Sequence, residues 1–325
     1  MTERPTHLSR RRFLTLTGAC GAGLALGPLR LGATPLGELV AEEPWGGIVA
    51  LSDGVWAVAS TPIKSSDWTT GSNGGIVAGS DRVLAIESFV SAAGASWVAA
   101  QARQLAGRRP TDVLVTHYHG DHSNGLAGYA EGDDLPRVWM TETTRDLVVE
   151  ADQQRDAPED PVRRQMLATA TLLAPDKVTE LDLGGRTLRL HPRSGHTASD
   201  VTVELEDPSI VFFGDLLWNG FFPNYRDTLP TAFAASIRAV RRDRETLYVP
   251  GHGALANDDA LGLCLTLIDS VEAAARSAFE RGISAAEAAK AFHLPDSVSD
   301  WILFNERYFE VAIGAWHKEL GAASG

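Results

Sequence analysis

Nine consecutive residues, Thr116-His117-Tyr118-His119-Gly120-Asp121-His122-Ser123-Asn124, place three imidazoles and a carboxylate within six positions. Imidazole binds zinc, copper, iron or nickel, and carboxylate completes many such sites. A packed core does not explain that density, because each polar group would need its own partner once buried. Three later stretches add residues of the same kind: Ser194-Gly195-His196-Thr197, Gly214-Asp215 and Pro250-Gly251-His252-Gly253. Singly, each is a weak signal, since a His after a strand is more often a satisfied surface or core residue and Gly-Asp commonly forms a turn. Together with the first motif they read as one metal-binding constellation. Five of the nine histidines fall in it; His7, His191, His293 and His317 stand outside and are read as non-ligands.

The constellation needs strands to position it. The apolar, Val-rich run at 112–115 precedes the first motif, and runs at 188–193, 210–213 and 247–249 precede the others. Each metal-competent side chain is therefore expected at a strand's end, where binding groups usually sit on a rigid scaffold. Flanking glycines permit tight turns and close backbone approach. Further strands are expected at 48–51, 55–58, 75–78, 83–86, 138–141, 177–183, 187–191 and 201–205, joined in pairs by Gly/Asp turns. Helices are expected over 92–106, 142–151, 161–173, 231–242, 258–281, 284–293 and 299–320. A polar loop at 61–73, with Trp68 near its middle, reads equally as a flap over substrate or as plain surface. Two similar halves of hairpins and helices bury all these faces if sheet packs on sheet with helices outside.

Composition narrows the partners. At 325 residues, 44% hydrophobic and 22% charged, the chain reads as an ordinary globular protein, and its net charge of −13 argues against a nucleic-acid surface. No mature segment approaches the ~20 apolar residues of a membrane span. The N-terminus differs: Ser9-Arg10-Arg11-Arg12-Phe13-Leu14 opens a Gly/Ala-rich apolar stretch, a basic region followed by a hydrophobic one. It resembles the bacterial twin-arginine export signal, which implies passage through the twin-arginine translocase and a periplasmic or secreted location. Cleavage is expected near Leu31-Gly32-Ala33 or Leu39-Val40-Ala41. Loss of residues 1–33, with five arginines and one glutamate, leaves a charge of about −17 and one cysteine, Cys264, read as a core residue. Residues 1–40 are thus assigned to signal and lead, and 41–325 to one domain.

The full constellation resembles the metallo-β-lactamase-fold hydrolase superfamily over roughly residues 46–255. His117, His119, Asp121 and His122 match its H-x-H-x-D-H motif, His196 its G-H-T histidine, Asp215 its bridging aspartate and His252 its final histidine. The resemblance implies an α/β (α+β) four-layer αββα sandwich. It further implies two divalent ions, one held by His117, His119 and His196, the other by Asp121, His122 and His252, with Asp215 between them. Zinc is expected for nitrogen and oxygen ligands, and manganese or iron fits them too. A shared water ionised by the two ions would attack the substrate, with Asp121 orienting it and passing its proton to the leaving group. The Leu216–Tyr225 stretch reads as an aromatic loop on the pocket, with Asn219, Asn224 or Tyr225 as oxyanion donor.

The expected function is an exported dinuclear hydrolase of a small ester, lactone or amide. A β-lactam hydrolase, a mononuclear iron dioxygenase for sulfur substrates and a non-enzymatic metal-binding accessory protein are the alternatives. Superfamily β-lactamases usually carry Cys or Ser at the Asp215 position, and glyoxalase-type thioester hydrolases usually carry a further His where Tyr118 stands. The family's Asp after the strand before the first long helix is replaced here by Glu87.

Overall fold

Successive side chains of a strand face opposite sides of its sheet, and here both sides are apolar. Val83 and Ala85 enter one apolar cluster while Leu84 and Ile86 enter another; Val211 and Phe213 enter a third while Phe212 joins the second. Strands buried on both faces require layers on both faces, and three apolar clusters require four layers. The structure, a computed structural model, describes residues 36–60, 67–155 and 160–323.

The first sheet has eight strands in sequential order: β1 (Glu38–Glu43), β2 (Gly46–Ser52), β3 (Val55–Ala59), β4 (Gly74–Ala78), β5 (Val83–Ile86), β6 (Asp112–Leu114), β7 (Arg137–Thr141) and β8 (Thr171–Leu173). It is antiparallel up to β5 and parallel from there to β8. Parallel neighbours need crossover connections. Helix α1 (Ala92–Ala106) makes the first, the short α2 (Gly120–Ser123) and a 3-10 turn (Leu126–Tyr129) the second, and α3 (Glu142–Gln154) with α4 (Pro161–Ala168) the third. The second sheet holds β9 (Thr179–Asp182), β10 (Thr187–Arg193), β11 (Asp200–Leu205), β12 (Ile210–Asn219) and β13 (Leu247–Gly253), with α5 (Pro230–Val240) crossing between the last two. Helices α6 (Asp258–Glu280), α7 (Ala285–Ala291) and α8 (Tyr308–Ala323) close the described chain.

The expected αββα sandwich is therefore the observed one. Leu84, Ile86 and Leu114 meet Leu190, Val203 and Phe212 between the sheets. Val98, Ala102 and Val148 cover the first sheet, and Phe233, Ile268 and Trp316 cover the second. Cys264 is fully buried in the last group, and burial pushes its thiol up to about 12. None of the described helices is long and apolar enough to cross a membrane.

Four sequence expectations need correction. The helix expected over 161–173 ends at Ala168, and Thr171–Leu173 instead extends the sheet beside β7, where an open edge outweighs helix propensity in a Thr-containing segment. The helix expected over 299–320 begins only at Tyr308. Before it, a strap crosses the end of β12, with Ile302 N donating to Gly220 O at 3.0 Å and Phe222 N to Ile302 O at 2.9 Å. The Leu216–Tyr225 loop is strand as far as Asn219. Strand β1 lay in a stretch read as lead; its exposed, acidic residues show no buried face by which to recognise it. The export signal and the cleavage point at 31–33 lie outside the described residues, whereas the one at 39–41 falls within β1.

Candidate metal centre

The seven singled-out residues converge at one edge of the two sheets. His117 and His119 follow β6, Asp121 and His122 lie in α2, His196 follows β10, and Asp215 and His252 lie in β12 and β13. The last two are thus within strands, at irregular stretches where the β12–β13 register shifts. The approach is close: a Cβ on Gly251 would stand 2.0 Å from Asp215 Oδ1, so only glycine leaves that carboxylate its place.

One group comprises His117, His119, His196 and Asp215. His119 Nδ1 lies 3.2 Å from His117 Nε2 and 2.9 Å from His196 Nε2, and Asp215 Oδ2 lies 3.3 Å from His196 Nε2 and 3.9 Å from His117 Nε2. A second comprises Asp121, His122 and His252, and a third joins Glu87 to His117 and His122. His252 Nε2 is 3.2 Å from Asp121 Oδ2, and Asp215 Oδ1 lies 3.1 Å from His122 Nε2 and 3.4 Å from His252 Nε2. Asp215 therefore offers one oxygen to each trio.

These residues fit metal ions. A tetrahedral ion with bonds of about 2.0 Å separates its ligand atoms by about 3.3 Å, the spacing seen here. His119 Nδ1 carries either one proton or one lone pair, so it cannot hydrogen-bond both imidazoles facing it. His122 Nε2 and Asp215 Oδ1 are buried and stand 3.1 Å apart without forming an aligned hydrogen bond, which buried polar atoms rarely tolerate. A cation at each trio resolves these anomalies.

The electrostatics divide along the same line. Burial, with His122 nearby, holds His117 well below the ordinary imidazole value, and burial takes His196 down to about 3. At His252 burial is outweighed by the carboxylates of Asp215 and Asp121, which raise it to about 9; His122 is raised in the same way by Asp215, Glu87 and Asp121. Burial opposes ionisation of Asp121 and Asp215, but neighbouring imidazoles prevail, taking Asp121 to about 2 and Asp215 well below its usual range. The metal-free site thus stores protons on the His122/His252 side, and these must leave before that side can bind a cation.

Outer partners orient the ligands. Glu87 takes the role left open by the sequence: its Oε1 stands 3.0 Å from His122 Nδ1 and accepts from Thr116 Oγ1, which also meets His117 Nδ1 at 3.0 Å. Glu87 reaches that position with φ of +77°, a strained conformation for a residue with a side chain. Asp227, which nothing in the local sequence marks, accepts from Tyr118 OH at 2.7 Å and lies 3.0 Å from His119 Nε2. The His119 hydrogen bond chiefly holds its carboxyl down at about 2. Asp200 accepts from Thr197 N and Oγ1, fixing the turn that carries His196. Residues 67–73 brace the site: Ser72 Oγ donates to Asp121 O, and Asn73 Nδ2 to Gly253 O.

The three oxyanion candidates are placed otherwise. Asn219 Nδ2 donates to Ala254 O and Leu255 O, tying two strand ends together. Asn224 Oδ1 accepts from Arg226 N, closing a local turn. Tyr225 is buried in the helical core against Phe222 and Phe233. Tyr308, at the start of α8, instead lies within electrostatic reach of Asp215 and Asp121; burial, aided by those carboxylates, pushes its phenol up to about 12. His191 meets Arg193 and His317 meets a backbone carbonyl, both apart from the site.

A family model described as the metallo-beta-lactamase superfamily matches residues 70–252. The chain is 30% identical over 129 residues to human acyl-coenzyme A thioesterase MBLAC2, covering 37% of this chain and 46% of that protein. It is 31% identical over 166 residues to hydroxyacylglutathione hydrolase of Acidiphilium cryptum (strain JF-5), covering 51% of this chain and 59% of that one. The matched stretch spans about half the length of these curated relatives. Among solved structures, a metallo-beta-lactamase from Pontibacter korlensis superposes with a TM-score of 0.54 at 20% identity, covering 69% of this chain and 99% of that one. The sec-alkylsulfatase Pisa1 from Pseudomonas sp. gives 0.63 at 17% identity, covering 84% and 50%. These likenesses show a shared fold.

Proposed function

The chain belongs to the metallo-beta-lactamase superfamily, and on that premise we propose that it is an exported dinuclear metal-dependent hydrolase of a small ester, thioester, lactone or amide. The observation that carries this reading is Asp215, whose two oxygens face two different trios at 3.1–3.9 Å. Thioesters enter the range because one relative is named a thioesterase. His117, His119 and His196 would hold one ion and Asp121, His122 and His252 the other. Two such ions ionise water near neutral pH and polarise the bond under attack.

The chain's own residues do the rest. Glu87 and Thr116 fix the rings of His122 and His117, and Asp227 fixes His119. Of the two carboxylates among the seven ligand positions, Asp121 is 31% exposed and Asp215 3%, so Asp121 is the one that solvent reaches. It accepts the proton of the attacking water and delivers it to the departing oxygen, sulfur or nitrogen as the acyl bond breaks. Export is part of the proposal and rests on the motif at Ser9–Leu14; replacing Arg10 and Arg11 by Lys should hold the protein in the cytoplasm, and undiminished export would refute it.

Purified protein loaded with zinc or manganese is expected to hydrolyse a panel of nitrophenyl esters, acyl thioesters and lactones. A β-lactam such as nitrocefin should turn over at least about tenfold more slowly, and chelation should abolish all of it. Oxygen uptake with a persulfide, in protein holding one iron and inactive on every ester, would overturn the hydrolase reading in favour of a dioxygenase.

A further inference from the structure

The buried face of α4 contains a charge. Arg163, Met166 and Leu167 stand three and four residues apart, on one side of the helix, and all three are buried. Met166 and Leu167 enter the apolar cluster on the first sheet, so the pattern calls for a hydrocarbon at 163. Arg163 stands there instead, 8% exposed. A charge taken out of water needs well-placed partners, and here the partners show what it does. Asp152, in α3, accepts from its Nε at 2.8 Å and its Nη2 at 3.3 Å. Its Nη1 donates to the backbone carbonyl of Ser123, the last residue of α2.

Helix α2 carries Asp121 and His122, and it cannot hold its own shape. Its four residues are too few to close an α-helical N–H to C=O bond among themselves. Its carbonyls are fixed from outside. Asp121 O accepts from Ser72 Oγ at 2.7 Å, and His122 O accepts from Ser88 N at 2.9 Å and Ser88 Oγ at 3.0 Å. Those donors are neutral, whereas the one on Ser123 O is a guanidinium, and charge-assisted bonds are the stronger kind. Arg155, also held by Asp152 at 2.7 Å, donates to Asn124 Oδ1 at 2.7 Å just past the helix. The other trio is carried differently: His119 stands at the opposite end of α2, and His117 and His196 follow β6 and β10.

We propose that Arg163 is a positioning residue for the cation at Asp121, His122 and His252. Gripped by Asp152, it clamps the end of α2 and so fixes where the Asp121 and His122 side chains point. This rests on the two-ion reading above. It makes the α3–α4 pair a support for one cation and not for the other.

Two measurements on the full-length protein test it. In Arg163→Met, an unbranched side chain without the charge, amide hydrogen exchange at 120–124 in the metal-free protein should quicken at least about tenfold, with no change at 194–197. Zinc titration of the same variant should show one cation weakened by about 10–100-fold and the other within about threefold of wild type. The weakened cation should be the one that Asp121→Ala also weakens. Arg163→Lys, whose ammonium can still reach Ser123 O, should recover most of the lost affinity. If Arg163→Met does not fold, Asp152→Asn, which keeps the arginine and loosens its hold, should give the same selective pattern to a smaller degree. Unchanged exchange at 120–124, or two cations weakened alike, overturns the proposal and leaves Arg163 a role in the fold alone. A wild type that takes only one cation sinks the two-ion reading, and the exchange result by itself then decides the clamp.

Discussion

Replacing Asp215 by Ala is expected to lower turnover by about 10³-fold and to leave at most one tightly held cation per chain. Asp215 alone among the seven residues faces both trios. On the proposed two-ion reading, the bound cations would supply several kcal/mol of charge stabilisation in the transition state, and each 1.36 kcal/mol is tenfold in rate, which gives roughly 10³. The loss also reaches the protein itself, since Asp215 is the first carboxylate that opposes burial at His252 and His122. Without it both rings lose much of their reason to be charged. The sandwich should survive, because Asp215 lies outside the apolar clusters, and an unchanged far-ultraviolet dichroism spectrum would confirm that. Two cations and turnover within tenfold of wild type would show that the carboxylate bridges nothing.

Stripping the metal should lower the thermal midpoint by about 10 °C at pH 8, and by less at pH 6.5. An ion present at a thousand times its dissociation constant stabilises the fold by about 4 kcal/mol, and a domain of this size shifts by about 2–4 °C per kcal/mol. The pH dependence follows from the protons the metal displaces. His252, raised to about 9 in the metal-free fold from an ordinary 6.5, contributes stability that is complete below about 6.5 and lost as pH rises through about 9; His122 shifts in the same direction. His117 and His196 are depressed, so they take up protons on unfolding and weaken the metal-free fold below about 6.5. From pH 6.5 to 9 the metal-free form therefore loses stability while metal binding strengthens, and the gap between the two melting curves widens. Calorimetric scans of both forms across that window measure it; a gap that narrows with rising pH would mean the His122/His252 side is not where protons and metal compete.

Much of this site was legible because its side chains are out of place for a core. Polar, metal-competent groups at the ends of apolar strands stand out, and all seven converge. The sandwich was legible because strands such as Val83–Ile86 are apolar on both faces. What escaped was set by distant partners. Asp227 is one acid in a loop and gains meaning only when α5's approach brings it to His119. Tyr225 and Tyr308 are chemically equal in the sequence; both pack on the helical core, and only the folded chain brings Tyr308 within electrostatic reach of Asp121 and Asp215. The strap at 299–307 has helix-forming neighbours, but Ile302 bonds across to Gly220 and Phe222, just beyond β12. Strands β1 and β8 are edge strands, and β1 lacks the alternation that marked the others.

The most direct test is metal per chain, by elemental analysis of freshly purified protein. Two zinc or manganese ions are expected in the wild type, with the second lost in Asp215→Ala. A single iron, or no tightly held metal after reconstitution, would contradict the dinuclear hydrolase.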